Sequence, residues 1–152
     1  MIELLETSVE RIPSDTGLGS NFAVLVVPAG KGASTVDLYR RFSGVPASCR
    51  ARERVVAIVS KGVLNTPDQV SATGRRRDGN RFEMNLEIRR FEGSMRANDP
   101  WIALVRMELG FLEPGTYQLV VQEMVLRFMD LHHPEQAIDP TTSEYRISFD
   151  CV

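Results

Sequence analysis

The sequence predicts an all-β chain: an antiparallel sandwich of about seven to nine strands, in one domain spanning residues 1–152. Three observations lead there. In "RFEMNLEIRRF" (81–91), apolar and polar residues alternate strictly over the nine residues from Arg81 to Arg89, which is the period of a strand with one wet face. "SEYRISFDCV" (143–152) alternates equally cleanly. No segment of convincing length carries helical periodicity, and turn residues punctuate the chain at short intervals. The length of 152 residues is enough to bury a core, and 43% apolar with 25% charged residues is ordinary composition.

Taken in order, "IELLETSVERI" (2–12) reads as a strand or a short amphipathic helix. "FAVLVV" (22–27) is a continuous apolar run and reads as a fully buried central strand. "STVDLYRRF" (34–42) suits a short helix with a Ser or Thr cap, or a strand. "RVVAIVS" (54–60) is β-branched and reads as a strand, one that would be sticky if it lay at an edge. In "QVSATGRRRDGNRFEMNLEIRRF", Asp78-Gly79 predicts a two-residue hairpin turn, and Gly74 marks a bulge or turn edge. "WIALVRMELG" places Trp101, Ala103, Val105, Met107 and Leu109 on one face, with Arg106 and Glu108 on the other. "TYQLVVQEMVLRFM" starts with Tyr117, Leu119 and Val121 inward. It then shifts phase to Met124, Leu126 and Phe128, which predicts a β-bulge at Gln122-Glu123. In the last strand Tyr145, Ile147, Phe149 and Cys151 face inward. The long loops are Pro28 to Thr35 and Leu131 to Ser143.

"FLEPGTYQLVV" (111–121) explains how one strand feeds the next. Pro114 fixes φ and Gly115 permits positive φ, so Glu113 to Thr116 predicts a type II turn. A tyrosine opening the following strand can pack its ring inward and return its hydroxyl to an upstream backbone group. Leu112, Pro114, Gly115 and Tyr117 together resemble the tyrosine corner of immunoglobulin-like and fibronectin type III-like sandwiches. The resemblance covers roughly Trp101 to Phe128. It implies an immunoglobulin-like architecture and no activity.

The chemistry-bearing residues are sparse. Cys49 and Cys151 are either two buried free thiols or one bridge, and no CxxC is present. A bridge would close a loop of about a hundred residues and mark an oxidising compartment. Cys49 is followed by Arg50 and Arg52 in "CRAR", which would favour a thiolate, so a thiol-dependent enzyme is one reading. His132 and His133 are the only histidines, and adjacent histidines on an extended segment diverge, so no metal site is assigned. "AGKGAST" (29–35) lacks the spacing of a nucleotide phosphate loop, and no GxSxG occurs. No cofactor is implied, and no catalytic set is assembled.

Charge is more informative. The net charge is −2, and sixteen of the eighteen cations are arginine. Residues 1–30 carry net −3, residues 31–96 net +7 and residues 97–152 net −6. Arg75, Arg76, Arg77 and Arg81 crowd one hairpin, and arginine grips carboxylate, sulfate and phosphate bidentately. The leading expectation is a non-catalytic binding or accessory module that engages a protein partner through this hairpin and the loops. The alternative is a polyanion-binding module that adds Arg89 and Arg90. Nucleic acid is disfavoured, because aromatic platforms do not alternate with the arginines. No run of about 18 apolar residues is present to span a membrane. The N-terminus shows no signal peptide, which fits a cytoplasmic protein or a secreted one whose leader has been removed. A homo-oligomer through an edge strand is open.

Overall fold

The computed structural model describes residues 2–14, 22–93 and 99–152. Among these, nine strands form two sheets: β1 (Ile2–Leu5), β2 (Thr7–Pro13), β3 (Ala23–Pro28), β4 (Arg54–Asn65), β5 (Gln69–Arg77), β6 (Arg81–Phe91), β7 (Pro100–Phe111), β8 (Gly115–Phe128) and β9 (Ile138–Cys151). A helix, α1 (Thr35–Phe42), and a 3-10 turn at Pro134–Gln136 accompany them. The five-stranded sheet has the order β1-β5-β6-β8-β9, and the four-stranded sheet β2-β7-β4-β3. The fold is therefore the expected all-β sandwich. One ladder departs from antiparallel pairing, because β6 and β8 run parallel. The intervening β7 lies in the other sheet, so the chain crosses the sandwich and returns in its former direction.

The inter-sheet core follows the alternation. Phe82, Met84, Leu86 and Ile88 of β6 meet Trp101, Ala103, Val105, Met107 and Leu109 of β7. Gly74 sits within a regular ladder and not at a bulge. A side chain at Gly74 would collide with Met107 and Thr7, so its role is to admit Met107 beneath the five-stranded sheet.

A second core lies on the outer face of the four-stranded sheet. Ser34 caps α1 by accepting a hydrogen bond from the Asp37 amide at 3.1 Å, worth about 1 kcal/mol. Arg40 and Arg41 in the last turn complement the helix dipole. Leu38 and Tyr39 then pack on Leu25, Val27, Val56, Ile58 and Ile102. This double coverage explains the continuous apolar runs. β3 is buried on both faces yet is the edge strand of its sheet, not the central strand expected. "RVVAIVS" falls in β4, an interior strand flanked by β3 and β7.

Other expectations are corrected. The first segment is two strands, and the chain switches sheets at Glu6, whose carbonyl accepts from the Glu108 amide at 2.9 Å. The hairpin loop has three residues, because Arg77 pairs with Arg81. Asp78 and Gly79 do adopt positive φ, and the Asn80 carbonyl is taken by the Gln118 amide. Gly115 has φ 156°, more extended than the roughly 80° of an ideal type II turn. The irregularity in β8 lies between Val125 and Arg127, not at Gln122-Glu123. Glu123 keeps the inward phase because Lys61, at an irregularity in β4, reaches across to it at 2.5 Å. β9 begins at Ile138, so half of the expected loop is strand, and Tyr145 near its middle is exposed rather than buried.

Tyr117 behaves as the corner predicts. Its ring is buried between Phe82 and Phe149, and its hydroxyl donates to the Glu113 carbonyl at 2.7 Å. Among the described residues, no helix is long and apolar enough to cross a membrane.

Candidate binding face

The helix covers the outer face of one sheet and leaves the outer face of the other open. The register of the five-stranded sheet decides what stands there. Arg75 is opposite Glu83, and Arg77 is opposite Arg81. Alternation puts these four on the outer face, since Phe82 and Met84 point into the core. The Glu83 carboxylate is consequently flanked by three guanidiniums. Arg75 Nε donates to it at 2.6 Å, Arg81 Nε lies at 3.3 Å and Arg77 Nη1 at 3.6 Å. Glu83 is 2% exposed although it stands on an outer face, because the arginines lie over it. Their own side chains remain 33–40% exposed. The cluster carries two more positive than negative charges, and one shared carboxylate holds its guanidiniums in place.

The structure thus brings together Arg75, Arg77 and Arg81. It separates Arg76, which alternation turns away. Arg76 Nε donates to the Gly79 carbonyl at 2.6 Å, and its guanidinium lies 5.3 Å from the Phe82 ring. Arg89 stands farther along β6, where it donates to the Pro134 carbonyl at 2.9 Å and pairs with Glu87 at 3.3 Å. Arg90 is exposed and outside the cluster, and Arg96 lies outside the described residues.

Beside the cluster the same face dips into a depression of about 750 Å³. Pairing aligns Thr73, Asn85, Gln122 and Glu144 in one row across four strands. These are hydroxyl, amide and carboxylate groups, able to donate and accept hydrogen bonds. Arg146 holds the Glu144 carboxylate at 3.0 Å, and Gln122 approaches it at 3.5 Å. The hydrogen bond from Arg146, then that from Gln122, holds Glu144 below its ordinary pKa. A second depression, about 630 Å³, is lined by Lys31, Arg41, Glu53, Arg54 and Phe111. The GKG segment therefore leads into a short helix, but the Ser34 side chain already caps that helix.

Cys49 and Cys151 are joined as a disulfide, both 3% exposed. The Val152 amide donates to the Cys49 carbonyl at 3.1 Å, and the Ala51 amide to the Val152 carbonyl at 2.8 Å. Cys49 is thereby a cross-link and not an activated thiolate. In the histidine loop, His133 Nδ1 contacts Glu135 at 2.8 Å. That hydrogen bond, with Asp130 nearby, raises the His133 pKa, and the same bond lowers that of Glu135. Among the described residues, no group of three or more His, Cys, Asp or Glu side chains is placed to hold a metal ion.

Sequence reasoning grouped four arginines by proximity and missed Glu83, the residue that organises them. The signal was present, because Glu83 shares strand parity with Arg81 and its cross-strand partner is an arginine. The row from Thr73 to Glu144 had no such signal, because it depends on the parallel pairing of β6 and β8. Compared with known proteins, the chain matches no family model, no curated protein and no solved structure.

Proposed function

We propose that the protein is a non-catalytic binding module that engages an acidic surface of a protein partner through the outer face of the five-stranded sheet. One observation carries this reading: Arg75, Arg77 and Arg81 are preorganised around a buried carboxylate and keep a net positive charge. Guanidiniums held in place lose less side-chain freedom on binding than free ones. The adjacent depression adds hydroxyl and amide groups from Thr73, Asn85 and Gln122, beside carboxylates such as Glu144 that Arg146 holds. The tyrosine corner supports an immunoglobulin-like placement, which brings no function with it.

Chromatography of the full chain on anionic resins tests the reading. Retention should fall as salt rises, because it depends on charge. The double variant Arg75→Gln, Arg77→Gln should elute at lower salt, while Arg81 remains as a partner for Glu83 and the fold survives. Arg76→Gln is the control and should change elution least, since its guanidinium is committed to Gly79 and Phe82. Equal shifts from the two variants would sink the assignment to this face. A second reading, a sulfated or phosphorylated polyanion, is favoured by the bidentate match of guanidinium to those groups. Much stronger retention on a sulfated resin than on a carboxylated one of equal charge would select it.

A further inference from the structure

β9 is the edge of the five-stranded sheet and fourteen residues long, most of them exposed. Among the described residues, its free side is occupied only at the end, where Cys49 bridges to Cys151 and residue 51 bonds to Val152. Among the described residues the free stretch therefore runs from Ile138 to Phe149, and Pro140, which has no amide hydrogen, limits regular pairing to Thr141–Phe149. Tyr145 lies at the centre of that stretch, with Glu144 and Arg146 on either side.

We propose that two copies of this chain pair antiparallel along β9, with a two-fold axis through Tyr145. That register places Glu144 of each copy opposite Arg146 of the other, on the same outer face. On the inner face, Ser143 meets Ile147, Thr141 meets Phe149, and the two Tyr145 rings meet across the axis. Oppositely charged cross-strand pairs are favourable and like-charged pairs are not. Moving the axis to Glu144 or to Arg146 sets like charges against each other, so the charge pattern selects one register. The ladder is nine residues, about 30 Å long. Tyr145 is 46% exposed and Phe22, packed edge-on against it at 5.5 Å, is 39% exposed, so apolar surface stands at the seam. A β9-paired dimer also continues the polar depression, which ends at Thr142, Ser143 and Glu144, into a second copy of itself.

Sedimentation velocity across a dilution series, with the disulfide intact, tests the pairing. The wild type should dimerise. Glu144→Arg and Arg146→Glu should each weaken the dimer by about tenfold, since each converts two attractions into repulsions. The double variant E144R/R146E should restore it. An equimolar mixture of the two single variants should form heterodimers. One copy then carries cations at both positions, and they face carboxylates at both positions of the other. Thermal melting of each variant reports any effect on the monomer. A wild type that stays monomeric at its highest soluble concentration overturns the proposal. So does a dimer that the single charge variants leave unchanged, since it must then use another surface. Neither result bears on the anion readout from Arg75 and Arg77.

Discussion

Replacing Glu83 with glutamine should destabilise the fold and strengthen anion binding at once. The variant keeps the shape of the side chain and removes the charge that three guanidiniums share. Two unit charges about 4 Å apart attract by about 4 kcal/mol at an effective dielectric near 20, before the cost of desolvation. Breaking a buried pair from one side costs about 3–5 kcal/mol. Here the carboxylate is buried but the arginines are at least one-third exposed, so water screens much of the repulsion that remains. The expected loss is about 2–3 kcal/mol, or a fall in Tm of about 5–10 °C for a domain of this size. Part of it should return in about 1 M salt, where the Debye length is about 3 Å. The net charge of the cluster rises from +2 to +3 when Glu83 is neutralised. The variant should accordingly elute from an anionic resin at higher salt than the wild type. Denaturant unfolding at two salt concentrations, with salt-gradient chromatography, reads both effects. Stability within about 0.5 kcal/mol of wild type, the range of an ordinary surface substitution, would refute the role given to Glu83. So would unchanged elution.

Two further outcomes follow from the cross-link and the histidine loop. Cys49 and Cys151 are 102 residues apart, so reduction, or Cys151→Ser, should cost about 4–5 kcal/mol through the larger freedom of the unfolded chain. A melting experiment with and without reductant should show a fall in Tm of about 10–15 °C, and no fall would mean that the bridge adds nothing. NMR titration should place the His133 midpoint above its ordinary 6.5, with Glu135→Gln moving it down. A His133 pKa raised in the folded state adds stability that is complete below 6.5 and disappears as pH rises through the folded value. The lowered Glu135 pKa adds stability above 4.5 that disappears as pH falls through its own folded value. The pair therefore acts in mildly acidic solution, and an unmoved His133 midpoint in the Glu135 variant would remove it.

What was legible in the sequence was what depends on one strand at a time. Period-two alternation assigned the inward residues of β6 and β7 because each strand has one wet face or one outer face of its own. The inward Tyr117 ring and its hydroxyl bond to the Glu113 carbonyl were legible because Leu112, Pro114, Gly115 and Tyr117 act within a few residues of each other. Legibility failed where a second element decided the outcome. β3 looked central because α1 buries its second face, a contact that no local pattern records. The phase of β8 looked shifted at Glu123, yet Lys61, sixty-two residues away, supplies the charge that lets this carboxylate stay inside. The start of β9 looked like a loop because its apolar residues are few, and they are few because little of the opposite sheet covers it.

The same dependence on partners bears on why the cluster is retained. α1 closes the outer face of the four-stranded sheet with Leu38 and Tyr39, an ordinary apolar solution. Nothing comparable covers the five-stranded sheet among the described residues. There Val120 is fully buried beside Glu83, so an apolar side chain is already accommodated at that site. Replacing a buried ion cluster with packed apolar residues is often neutral or stabilising. Stability alone thus gives weak reason to keep one buried carboxylate beneath three arginines. A need to display guanidiniums in fixed positions gives a stronger one, because an apolar patch there would be stable but would not attract an anion. The two accounts diverge at one variant. Replacing Glu83, Arg75, Arg77 and Arg81 together with packed apolar residues should leave Tm near wild type and abolish retention on an anionic resin. A large loss of stability from that fourfold change would mean that the cluster is structural, and the binding face would lose its main support.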